Sequence, residues 1–223
     1  MTDSYFHVHH EDEYTGTYLA EPATAGPWDP GLQHGGPPTA LSVRAAERAA
    51  VAATGRTDLV AMRTSAEFVG PVPVGEVTLT ARVVRVARSG ALVETTVAAA
   101  GRPCLQARSW LIRDADTTAV SHPTTPQEPA AGLPGLVGSF PLGDTIEWRA
   151  LVGGIHVPGP GVVWARPTRN LVGDEPLVGL ARAALVGDSA SGISSALDWK
   201  RWSFVNVDLD VHLARPVQGS WIL

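Results

Sequence analysis

The sequence predicts an α+β fold made twice over, each half a helix laid against an antiparallel sheet. Three observations carry this. "PPTALSVRAAERAAVAAT" (37–54) and "EPLVGLARAALVGDSASGISSAL" (175–197) read as helices, one in each half. Around them stand stretches that alternate apolar and polar residues and are joined by short turns, the period-2 pattern of half-buried strands. "FVGPVPVGEVTL" (68–79) also matches "HLARPVQGSWIL" (212–223) with a one-residue gap. In each copy an alternating strand leads to Pro-Val, a Gly and a new strand, which indicates an internal duplication.

Taken in order, the first helix has prolines at its first turn, where no N–H is needed, and Gly55 just past its end. "DLVAMRTSAEFV" follows as a strand with Val60, Met62, Thr64, Ala66 and Phe68 expected on one face. "VTLTARVVRVAR", "ALVETTVAAA" and "PCLQARSWLIR" supply three more strands. In the second half "TIEWRAL" and "GVVWARPTR" are strands ahead of the helix, and Val205–Leu213 is a strand after it. Between the halves, residues 117–140 are rich in Pro, Gly, Thr and Ala without periodicity and read as a linker. The expected units are therefore 1–116 and 141–223. After Gly75 the first copy runs through three strands to Arg113, whereas the second stops at Leu223, soon after Gly219. The second unit is accordingly expected to lack its last strands, and the chain to be truncated.

Composition removes several classes of function. With 44% hydrophobic and 17% charged residues the chain is globular rather than disordered. A net charge of −5 without a Lys/Arg cluster disfavours nucleic acid and anionic membranes as partners. One cysteine, Cys104, excludes a disulfide framework and fits a reducing compartment. The start "MTDSYFHVHHEDEY" is polar and acidic, unlike a signal peptide, and reads as an exposed terminus. A soluble, cytoplasmic protein is expected.

The residues that bear chemistry are few. Asp188 sits in an otherwise apolar helix, where a carboxylate is disfavoured unless it has a partner or a task. His34-Gly35-Gly36 precedes the other helix; two glycines permit close backbone approach, and the free N–H groups of a helix start favour an oxyanion or phosphate. "GDSASG" is one residue off a nucleophile elbow and has no strand before it. "HVHHEDE" and "DLDVHL" hold metal-ligand residue types, but on an expected exposed terminus and a solvated strand face, so no metal is expected there. Cys104 lies in a strand pattern and reads as a small buried residue.

"GPWDPGLQHGGPPTALSVRAAERA", "FVGPVPVGEVTLTARVVR", "LVGDSASG" and "WSFVNVDLDVHLARPVQGSW" together cover most of both halves. Through them the chain resembles the double-hotdog acyl-CoA thioesterases, the thioesterase II (TesB-like) family. The resemblance implies a double hotdog and hydrolysis of an acyl-CoA thioester to a free fatty acid by an Asp-activated water, without metal or cofactor. Association into a homo-oligomer is expected from the apolar face that the missing strands would leave uncovered. By position the resemblance places the catalytic Asp at Asp188 and a small hydroxyl or amide residue of the next strand at Asn206. The family's Gln has no counterpart; its equivalent in the first copy falls on Arg108. Related single-hotdog enzymes carry an Asp eight residues after the His of His-Gly-Gly, where this chain has Ser42. The first half therefore has the loop and the second the carboxylate, which together would make one composite site, with His34, Gly35 and Gly36 binding substrate. Strict alternation would instead turn Asn206 to the face of Asp208, Asp210 and His212, away from the helix. Two other readings stay open: a non-catalytic acyl-CoA-binding protein or a hotdog protein left inactive by the missing strands and Gln, and a hotdog enoyl-CoA hydratase. The five-residue Asp–His spacing of the latter is absent.

Overall fold

Two strands that the sequence reading left unassigned begin the chain in this computed structural model, which describes residues 3–120, 128–136, 140–155 and 157–223. They are β1 (Ser4–Glu11) and β2 (Thr15–Ala20). Tyr5 and Phe6 are fully buried, so the stretch expected as an exposed terminus is a core strand. Its polar half, His7 to Glu11, masks the apolar half from a periodicity test. The signal that would have found the pair is the duplication: the second half shows two strands ahead of its helix.

Helix α1 (Gly36–Thr54) is buried without a break from Gly36 to Ala46. Its alanines bring the sheet close, and Gly55 ends it in the left-handed conformation at φ 66°, its N–H returning to Val51 O. Four long strands follow: β3 (Leu59–Phe68), β4 (Gly75–Ala87), β5 (Gly90–Ala99) and β6 (Arg102–Arg113). In β3 the expected buried face holds only for Thr64 and Ala66. A bulge at Met62 shifts the register against β6, and Leu59 and Ala61 are buried instead of Val60 and Met62. One extra residue on a strand exchanges its faces. The Glu47 carboxylate of α1 accepts the Ala61 N–H beside this bulge at 3.2 Å.

The second half contributes β7 (Gly135–Leu136), β8 (Ile146–Val152), β9 (Val162–Pro167), β10 (Asn170–Val172), α2 (Gly179–Gly187), α3 (Ala190–Ile193) and β11 (Asp208–His212). The single helix expected over 175–197 is thus two short ones. Pro176 and the glycines at 179, 187 and 192 lower helix propensity along this stretch, and α2 gives way at Asp188. Within the stretch expected as a linker, Gly135 and Leu136 pair with β8; residues 121–127 and 137–139 lie outside the described residues.

One eight-stranded sheet runs β10-β1-β2-β4-β5-β6-β3-β11, antiparallel except for β1 with β10. The second half therefore extends the first-half sheet at both edges. A smaller sheet, β7-β8-β9, is joined by Ile222, which bridges Ala165. An ion cluster also ties the halves. Buried Arg44 of α1 grips Glu175, beside β10, through Nε and Nη2 at 2.6 and 2.7 Å, and grips Glu11 of β1, which Tyr18 also contacts.

Candidate active site

The start of α1 meets α2 at a point where no side chain fits. A Cβ on Gly36 would lie 2.2 Å from the Leu185 carbonyl oxygen. One on Gly35 would lie 2.5 Å from the Phe68 ring and 2.8 Å from Asp188 Oδ2. These glycines let the second helix and its carboxylate approach, where the sequence suggested room for a ligand. The anion received at this helix start is the protein's own Asp188.

Backbone pairing holds the preceding loop. Gln33 N–H donates to Val72 O and His34 N–H to Thr24 O, each at 2.8 Å. His34 is thereby set with Nδ1 2.7 Å from Asp188 Oδ2. A carboxylate can only accept at that distance, which assigns Nδ1–H as the donor and leaves Nε2 as the nitrogen without a proton in the neutral tautomer. Gly36 N–H also approaches Nδ1, at a longer 3.3 Å. The imidazole stacks on Phe140, with ring centres 5.8 Å apart.

Asn206 completes the group. Its amide donates to Asp188 Oδ1 at 2.6 Å and to the Asp188 carbonyl oxygen at 2.9 Å. It escapes the alternation that would have turned it away because β11 begins only at Asp208; Asp208, Asp210 and His212 are exposed, while Asn206 faces the helix break. Phe68 N–H pins the approach by donating to Val207 O at 2.9 Å.

Asp188 is 6% exposed. Burial alone would push its carboxyl up, but the charge and hydrogen bond of His34, the Asn206 amide and the Gly35 N–H outweigh it and hold the group below the usual carboxylate range. Asp188 is therefore ionised at neutral pH. It lines a cavity of about 450 Å³ whose walls are otherwise largely apolar. Trp28 stacks on Trp199 at 5.1 Å, and Phe204 stands edge-on to both, making a rigid aromatic wall. These rings and Phe140 were not singled out in the sequence, since nothing local marks residues of separate loops as neighbours.

Other candidates lie elsewhere. Ser42 is buried within α1, away from the cavity lining. Arg108 is exposed and pairs with Glu94, across from it on β5. Among the described residues no group of three His, Cys, Asp or Glu is arranged to hold a metal ion. Nor is any helix there long and apolar enough to cross a membrane.

Residues 24–112 match the family model of the acyl-CoA thioesterase N-terminal domain, and residues 116–223 that of the acyl-CoA thioesterase C-terminal domain. No curated protein sequence matches the chain significantly. Among solved structures, a protein from Novosphingobium aromaticivorans, provisionally described as a thioesterase, superposes with a TM-score of 0.70 at 20% identity, over 96% of this chain and 83% of that one. A hot dog fold protein from Alicyclobacillus acidocaldarius gives 0.60 at 17%, over 81% of this chain and 66% of that one. Acyl-CoA thioesterase II TesB2 from Mycobacterium marinum gives 0.54 at 15%, over 81% and 64% respectively. At such identities the likeness establishes the fold, an α+β double hotdog.

Proposed function

Because this chain belongs to the acyl-CoA thioesterase family and is a thioester hydrolase, we propose that Asp188 drives the attack of water on an acyl-CoA thioester held in the cavity between its halves. The observation that carries this is an ionised, buried carboxylate set between His34 and Asn206 in the wall of an apolar cavity. The acyl chain lies along the aromatic wall. A proton leaves the water for the Asp188–His34 pair as the hydroxyl adds to the thioester carbon. The tetrahedral intermediate then expels the CoA thiolate, which takes up the proton, and the free fatty acid remains. For the developing oxyanion the helix start has little left to offer. Gly35 N–H is engaged by Asp188, Pro37 and Pro38 have none, and Gly36 is packed against Leu185 outside the cavity lining, so no donor of the helix start is assigned to it.

Asn206 fixes the carboxylate, His34 and Gly35 line the cavity on the substrate side, and Gly36 lets the two helices close on it. Residues 1–116 and 141–223 serve as the two units, each incomplete without the other. The reading includes a cytoplasmic role in fatty acid metabolism and assembly into a homo-oligomer. Exposed Trp202, Val205 and Val207 support the assembly, being apolar surface that favours a partner. Asp188→Asn tests the chemistry. Acyl-CoA hydrolysis should fall by about 10²–10⁴-fold with the fold retained, as disabling a general acid–base pair does. Undiminished turnover would refute it, and acyl-CoA binding without turnover in the wild type would make the chain a binding protein.

A further inference from the structure

Two groups in this site can take the proton from water, and the reading above leaves open which one touches it. We propose that His34 Nε2 is the proton acceptor and that Asp188 acts through it as a positioning residue. The inference rests on the thioesterase reading and deepens it.

Geometry separates the two groups. Both Asp188 oxygens are already occupied, Oδ1 by Asn206 at 2.6 Å and Oδ2 by His34 at 2.7 Å, and the side chain is 5% exposed. The same contacts that keep it ionised also make it a weak base, because its affinity for a proton is held below that of an ordinary carboxylate. An imidazole ordinarily titrates near neutrality, where general base catalysis is most effective. Here the ring is oriented twice, by Asp188 on Nδ1 and by Phe140 against its face. Asp188 on one ring nitrogen stabilises the imidazolium formed when the other takes a proton, which is the logic of a hydrolytic His–Asp pair with water as the nucleophile. Among the described cavity-lining residues the charged groups are Asp188 and Asp29, so no cation opposes that protonation. The balance closes within the site: the water O–H bond breaks to Nε2, the hydroxyl oxygen bonds the thioester carbon, and the C–S bond breaks with the Nε2 proton passing to sulfur.

The experiment follows kcat/KM of the full chain against pH for a soluble acyl-CoA. Wild type should lose kcat/KM towards acid pH, since the base must be neutral. His34→Ala should lose about 10²–10⁴-fold, and added imidazole should restore part of that loss. His34→Asn, which still offers Asp188 an amide N–H in place of Nδ1, should lose as much; its thermal melting, close to wild type, separates chemistry from folding. Asp188→Asn should move the acid limb of its residual activity to lower pH, because an imidazolium without its carboxylate gives up its proton more readily. His34→Asn within a few-fold of wild type, or an acid limb that Asp188→Asn leaves in place, would overturn the assignment while the thioesterase reading stands. A wild type inactive on every acyl-CoA would remove both.

Discussion

In the first half α1 runs 19 residues, is buried without interruption from Gly36 to Ala46, and is wrapped by strands of 10 to 13 residues. In the second half α2 runs nine residues and gives way at Asp188, and the strands of that half have two to seven. The duplicated helices have diverged into a frame and a bearer of chemistry. Within the continuous helix, Ser42 is 0% exposed and its hydroxyl is unpartnered, so a charge there would be desolvated without compensation. The broken helix instead presents a carboxylate at its end, where a loop histidine and an amide from beyond the helix can reach it.

Four substitutions probe that division, from the largest expected effect to the smallest. Ser42→Asp asks α1 to carry the charge that α2 carries. It should destabilise by about 3–5 kcal/mol, as an unpaired buried charge does, and add no activity. Denaturant unfolding reads the loss, and a stable, more active variant would break the distinction between the helices.

Arg44→Ala removes the cation that joins α1 to both halves and should cost about 2–3 kcal/mol, below a fully buried pair because the Glu175 side chain is 54% exposed. For Glu11, burial raises the carboxyl, but hydrogen bonds from Arg44 and Tyr18 lower it further; for Glu175 the Arg44 hydrogen bond dominates, and both groups end below 4.5. A depressed carboxyl contributes stability above its unfolded value and loses it as pH falls through the folded one. The stability gap between wild type and Arg44→Ala should therefore be full at neutral pH and close on acidification below 4.5. A gap that does not change with pH would show that the cluster contributes packing alone.

Gly36→Ala places a methyl group 2.2 Å from Leu185 O. Forcing the helices apart should cost about 1–3 kcal/mol and lower kcat/KM more than that loss explains, because His34 and Asp188 ride on opposite sides of the contact. Turnover and melting measured together distinguish this from simple destabilisation. Ser42→Ala should change stability by less than about 0.5 kcal/mol and leave turnover alone, since its hydroxyl has no partner to lose.

Much of the frame was legible because it is local. Gly36–Thr54 carries its own stop signal in Gly55, and β4, β5 and β6 announce themselves by alternation and tight turns. Misreadings arose where a local pattern was mixed or overruled. The strand β1 joins a buried aromatic pair to an exposed polar run, β3 trades faces at Met62, and 175–197 looked like one helix although Pro176 delays its start and its glycines divide it.

Of the site, the sequence itself determined which residue types are present: a carboxylate in an apolar helix, a His-Gly-Gly before a helix, and an amide near a late strand. Only the tertiary structure decided that they meet, with Asp188 2.7 Å from His34 Nδ1 and 2.6 Å from the Asn206 amide, and that the glycines serve the helix–helix contact. Helix and strand signals arise from neighbours within a few residues, which any reading of the chain can see. His34 and Asp188 stand far apart along the chain, and their meeting depends on the absence of a Cβ at two positions. That is a fact of packing, visible only once both halves are in place.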